Sequence, residues 1–109
     1  MNETSNVNDF VVLMQLTPTA ASSLRDTDTS VLQTLEDTAG AIMAAFEPAG
    51  EVLAFYITAG TIDVVAIIRV ATNGDEMSFA AKMAATGLVT TSTMSAYSTK
   101  VAIERIGRK

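Results

Sequence analysis

The sequence predicts an α+β domain of ferredoxin-like βαββαβ order, a four-stranded antiparallel sheet with two helices on one face. Three observations lead there. Glu51 to Val70 holds two runs of β-branched and aromatic residues around one glycine-containing turn, which reads as a hairpin. A long helical stripe precedes the hairpin and a shorter one follows it, and strand-like runs open and close the set. Neither hairpin run alternates cleanly between apolar and polar residues, so the sheet is apolar on both faces and both need cover. Two helices in a chain of 109 residues can cover one face. The other face calls for a second copy of the chain.

Taken in order, residues 1–8 are polar and read as a flexible N-terminus. Residues 9–98 form the single domain, and residues 99–109 a basic C-terminal tail. Phe10 to Leu16 is the first strand, stopped by Thr17-Pro18. Thr19 to Thr27 is a polar connection with room for one helical turn around Ala20 to Leu24. The first helix carries Val31, Leu35, Ala39, Ile42 and Phe46 at helical spacing, one buried stripe. Ser30 with Gln33 fits a capping box, and Glu47-Pro48-Ala49-Gly50 ends the helix. Gly40 inside it costs about 1 kcal/mol against alanine, for which close packing on the sheet would be a reason.

The hairpin strands are Val52 to Thr58 and Ile62 to Val70. Asn73 with Glu76 fits a second capping box, opening a short helix whose core positions are Met77, Ala80, Met83 and Ala84, with Gly87 as its C′ residue. Leu88 to Tyr97, rich in threonine and serine, is the last strand. Right-handed crossovers place the first and third strands in the middle of the sheet and the second and fourth at its edges. The uniformly apolar texture of Phe10–Leu16 and Val64–Val70 agrees. The tail segment Val101 to Ile106 fits either a further strand or a short helix.

Composition removes several chemistries. There is no cysteine and no histidine, which excludes disulfides, thiolate catalysis, sulfur-bound zinc and the commonest general base near neutral pH. No metal and no cofactor is expected. The net charge of −5 is unevenly placed. Four of the seven basic residues, Lys100, Arg105, Arg108 and Lys109, sit in the last ten positions. The body holds eleven acids against Arg25, Arg69 and Lys82, and such a body repels phosphate backbones, so nucleic acid is not an expected partner. No apolar run approaches the roughly 18 residues of a membrane span, and the first residues lack the pattern of a secretory leader. A cytoplasmic protein without membrane contact is the expectation.

The first strand ending in Leu-Thr, the hairpin Phe-Tyr-Ile-Thr-Ala-Gly-Thr-Ile-Asp-Val-Val-Ala-Ile and the threonine-rich last strand together resemble the GYD-domain proteins. These are small bacterial proteins named for a glycine–tyrosine–aspartate signature. The resemblance runs from about Phe10 to Tyr97. Gly60 and Asp63 match the signature, while Ile62 stands at its tyrosine position, so any role of that hydroxyl is lost here. The resemblance implies a ferredoxin-like fold of the dimeric α+β barrel type. It implies no particular activity.

Strand alternation sorts the polar candidates. If Val64, Ala66 and Ile68 face the helices, Asp63, Val65, Ile67 and Arg69 face away from them. Gln15 shares that phase with Val11 and Leu13 on the first strand. On the second strand the open face takes either Ala54, Tyr56 and Thr58 or else Leu53, Phe55 and Ile57. Gln15, Tyr56, Asp63 and Arg69, with Thr91 or Thr93, are then polar heads on an apolar face. That texture fits a small-molecule pocket and equally a wet homodimer interface. Gly60 suits a positive φ in the turn. Asp63 reads either as a carboxylate able to act as acid or base, or as a turn aspartate accepting backbone N–H bonds across the hairpin. Asp26-Thr27-Asp28-Thr29, ahead of a helix, reads as N-capping, and Glu36-Asp37 as a solvated face.

The expected function is a homo-oligomeric module that binds a small apolar or anionic molecule or serves as an interaction domain. The alternative is a cofactor-independent enzyme of isomerase, cyclase or monooxygenase type, acting on a hydrophobic substrate inside the paired sheets. Asp63 would be its base, with Tyr56 and Arg69 stabilising negative charge. Arg69 needs a partner from a neighbouring strand, the tail or a second subunit, because Asp63 lies about 20 Å away along an extended strand.

Overall fold

The two most apolar strand runs lie side by side in the middle of one sheet. β1 (Asn8–Leu16) pairs antiparallel with β3 (Val64–Val70), in a register that sets Val12 opposite Ala66 and Asp9 opposite Arg69. β2 (Glu51–Ile57) lines the outer edge of β3, and β4 (Val89–Ala96) the outer edge of β1. The order is β2-β3-β1-β4 with every neighbour antiparallel, as the crossover argument places them. The computed structural model describes residues 8–26 and 28–107. The described residues form an α+β domain with four antiparallel strands and four helices, compatible with a ferredoxin-like fold.

One face of the sheet packs on α2 (Ser30–Ala45) and α3 (Asp75–Ala84). Val12 and Met14 of β1, all four inward residues of β3 (Val64, Ala66, Ile68, Val70) and Val89 of β4 are buried against Leu35, Ala39 and Met43 of α2 and Phe79 and Met83 of α3. On α2 the buried stripe is Val31, Leu35, Ala39 and Met43, a strict four-residue step, and Ile42 and Phe46 pack at its margin. On α3 the expected stripe shifts. Phe79 takes the core position with Met83, while Met77 stays 71% exposed. The larger ring removes more apolar area from water, and residues four apart share one helix face.

Several local expectations change. The Thr17-Pro18 pair does more than stop β1: Pro18 occupies the first turn of a full helix, α1 (Pro18–Arg25), where its missing N–H costs nothing. Thr17 caps it by accepting the Ala20 N–H, and its hydroxyl donates to the Gly87 carbonyl. The Ser30–Gln33 capping box does not form. Asp28 accepts both the backbone N–H and the hydroxyl of Ser30, at 3.0 and 2.6 Å, and Gln33 donates instead to Asp37 one turn on. Asn73 does not cap α3 either. Gly74 stands at the cap with a φ of 101°, its N–H donating to Glu76, and Asn73 accepts from Asn8. Thr27, within the loop read as a capping motif, lies outside the described residues.

Gly60 and Gly87 have the positive φ expected of them, 136° and 77°. Gly40 does not pack on the sheet: it is exposed, with nothing within 4 Å of where a Cβ would stand. The close approach belongs to Gly50. A Cβ there would lie 2.5 Å from Met43 Cε and 2.7 Å from the Arg69 carbonyl oxygen.

At the ends of the chain, Asn8, read from the sequence as part of a flexible N-terminus, opens β1, and residues 1–7 lie outside the described residues. The tail is a helix, α4 (Thr99–Gly107), with no buried residue, and Arg108 and Lys109 lie beyond the described residues. None of the described helices is long and apolar enough to cross a membrane.

Candidate functional site

Opposed residues of an antiparallel pair share a face, so the register reads out the surface of the sheet turned away from α2 and α3. Its two middle rows are Val11, Ile67, Ala54 and Met94, then Leu13, Val65, Tyr56 and Ser92. The β2 ambiguity therefore resolves to the phase of Ala54 and Tyr56, with a bulge at Leu53 breaking the register. Tyr56 is 60% exposed at the sheet edge. On β4 the expected phase is reversed. Thr91 and Thr93 lie opposite Met14 and Val12 on the helix side, and Thr90, Ser92 and Met94 take the open face. A strand with hydroxyls in both phases offers no apolar contrast to set its register by eye.

Polar residues close this apolar face at both ends. At one end Asp63 binds three strands together. Its carbonyl accepts the Thr58 N–H at 2.9 Å, its own N–H donates to the Met14 carbonyl at 3.0 Å, and its carboxylate accepts the Leu16 N–H at 2.8 Å. Gln15 donates to the Thr61 carbonyl at 2.9 Å, pinning the same 58–63 loop to β1. The Asp63 carboxylate thus accepts a backbone N–H from β1, while across the hairpin it is the Asp63 carbonyl that accepts, from Thr58. The Thr58 hydroxyl donates to the Ile62 carbonyl and tightens the turn further.

At the opposite end Arg69 meets Asp9, its cross-strand neighbour. Nε donates to Oδ1 at 2.8 Å and Nη2 to Oδ2 at 3.1 Å, a two-pronged pair. Glu51 sits opposite Arg69 on the other side. The hydrogen bond to Asp9 and then the Asp9 charge push the Arg69 guanidinium further above its ordinary value, and Glu51 adds to this. The partner comes from a neighbouring strand, one of the three sources expected. Of the four residues singled out, Gln15 and Asp63 fall together, Tyr56 lies on the edge strand, and Arg69 lies at the far end of β3. Asp63 and Arg69 do not meet.

Sequence reasoning missed Asp9, Tyr97 and Arg105. These three join Arg69 around a cleft of about 250 Å³ where α4 leaves the end of the sheet. Asp9 had a signal, since it shares the phase of Val11, Leu13 and Gln15 on β1. Arg105 had a weaker one: it falls four residues after Val101, on the same side of a helical tail. Its guanidinium lies 4.6 Å from the centre of the Tyr97 ring. Among the described residues no three aspartate or glutamate side chains converge as a metal site would require. No protein-family model matches the sequence, and neither a curated protein nor a solved structure matches it.

Proposed function

We propose that the protein is a homo-oligomeric interaction module in which two copies pack their open sheet faces together, as in a dimeric α+β barrel of the GYD-domain type. One observation carries the reading: α2 and α3 cover one side of a sheet that is apolar on both. Val11, Leu13, Val65 and Ile67 form the centre of the uncovered side, flanked by Ala54 and Met94. The face is roughly 20 Å across four strands and 23 Å along β3. The two apolar rows occupy the middle of that face, and contiguous exposed apolar patches are commonly binding surfaces.

The polar rim suits pairing of like copies. Asp9 and Arg69 neutralise one another on the same subunit, so the face brings no unpaired charge of theirs into an interface. Any small molecule held between the faces meets Leu13 and Val65 at the centre and Tyr56 and Gln15 toward the margin. Catalysis by Asp63 has less support, because its carboxylate already accepts the Leu16 N–H.

Sedimentation velocity tests the reading at about 10 μM, a concentration at which a stable dimer persists. The wild-type chain is expected to run as a dimer or larger species. Ile67→Lys, which places a charge at the centre of the face, is expected to run as a folded monomer. A folded, monomeric wild-type chain overturns the proposal.

A further inference from the structure

β4 ends at Ala96, and the chain turns through Tyr97 and Ser98 into α4. The cleft beneath α4 collects donors and positive charge. Arg69 reaches it from β3 and Arg105 from α4, so two of the five described cations converge in one place on a chain of net charge −5. The carboxylate on its wall, Asp9, has both oxygens engaged by Arg69. Arg105 contacts the Tyr97 ring, and among the described residues no carboxylate lies within ion-pair distance of it. The Ser98 oxygen accepts the Val101 N–H, which leaves its proton to donate. Val101 and the Tyr97 ring supply apolar wall.

We propose that this cleft binds a small molecule carrying one carboxylate on a flat apolar body. An arginine fork matches the two oxygens of a carboxylate, and such charge-assisted pairs are the strong hydrogen bonds of a binding site. Arg105 supplies the fork and the uncompensated charge, the Ser98 hydroxyl a further donor, and Arg69, neutralised by Asp9, the guanidinium N–H groups that Asp9 does not take. The flat body lies along Tyr97 and Val101. At about 250 Å³ the cleft is below the range of about 300–1,000 Å³ usual for drug-sized ligands, so the ligand is small.

The ligand also gives α4 what it lacks. A helix of nine residues with none buried is shorter than the roughly 12–15 residues at which isolated helices become marginally stable. A carboxylate bridging Arg105 and the sheet end ties that helix to the domain. Every group involved belongs to one copy, and the cleft meets the faces proposed to pair at their rim, through Asp9 and Arg69.

Benzoate is the probe, added to the full chain up to about 10 mM, a range that captures millimolar affinity. Backbone amide NMR shifts are the readout. Saturable shifts at Tyr97, Ser98, Val101 and Arg105 are expected, with slower hydrogen exchange in α4. Benzamide, which has the same shape without the charge, and the variant Arg105→Gln are each expected to weaken binding at least about tenfold, the loss of one charge-assisted pair. Arg25→Gln, remote on α1, is expected to leave it unchanged. Absence of saturable shifts, equal binding of benzamide, or undiminished binding by Arg105→Gln overturns the proposal. Inorganic phosphate binding as tightly as benzoate overturns the flat-bodied ligand class.

Discussion

Asp9 and Arg69 are register partners across β1 and β3, and the carboxylate takes two prongs of the guanidinium at 2.8 and 3.1 Å. The pair sits at the end of the open face, with the side chains 32% and 42% exposed respectively. An arginine in a central strand thereby carries its counter-charge with it. The apolar rows beyond it can be covered without burying a lone cation.

Exposure sets the size of that interaction. A solvent-facing ion pair contributes between about 0 and 1 kcal/mol, the upper end belonging to two-pronged geometry. A double-mutant cycle of Asp9→Asn and Arg69→Met by urea denaturation should give a coupling in that range, shrinking when salt is raised to about 1 M. A coupling of several kcal/mol would mean that the pair is far better shielded than its exposure indicates.

Two glycines should respond in opposite directions. Gly40 is exposed inside α2 with open space around its missing Cβ, so Gly40→Ala should stabilise by about 0.5–1 kcal/mol. Gly50 lies against the Arg69 carbonyl oxygen, which as backbone cannot move aside cheaply. Gly50→Ala should destabilise by about 1–3 kcal/mol, the usual range for overpacking. Thermal melts of the two variants check both signs.

These glycines also mark how far the sequence could be read. Strand order was legible because Val12, Met14, Val64, Ala66, Ile68 and Val70 leave two strands too apolar for an edge. Helix phase was legible over the first part of α2, from Val31, Leu35 and Ala39, whereas Met43 completes the buried stripe in place of Ile42 and Phe46. Contacts between segments distant in sequence were not legible. Gly50 is tight because β3 passes beside it, and Arg69 is neutralised because β1 sets Asp9 opposite it. The caps were misread for a local reason. Ser30–Gln33 and Asn73–Glu76 have the right spacing, but Asp28 accepts the Ser30 N–H, and α3 starts at a left-handed Gly74, whose own N–H is the one Glu76 accepts. In β4, Thr91 and Thr93 could not be told from Thr90 and Ser92 by polarity alone.

Asp28 should show a pH signature at the start of α2. Its carboxyl is held below the ordinary value, first by the Ser30 hydroxyl and then by the Ser30 backbone N–H. A carboxylate depressed in the folded state stabilises the fold above its unfolded pKa of about 3.9, and that contribution is lost as pH falls through the folded value. An NMR titration should find the Asp28 midpoint below that of a model peptide, moving up in Ser30→Ala. No movement in Ser30→Ala would mean that the hydroxyl does not act on this carboxyl.

Asp63 separates a structural role from a catalytic one. Its side chain accepts the Leu16 N–H in a partly buried position, where the end of β1 meets the 58–63 loop. Asp63→Ala leaves that N–H without an acceptor, and an orphaned, partly buried donor costs about 1–3 kcal/mol. Asp63→Asn keeps a carbonyl oxygen of nearly the same size in the same place and removes only the charge. The asparagine variant should therefore stay within about 1 kcal/mol of wild type, while the alanine variant falls clearly below it. Chemical denaturation of both variants, with the Leu16 amide followed by hydrogen exchange, is the measurement. If asparagine proves as damaging as alanine, the negative charge is what the site requires. The loop would then be held by electrostatics rather than by a shared hydrogen bond. If neither variant loses stability or Leu16 protection, the carboxylate is free of structural duty and the catalytic reading of Asp63 regains its footing.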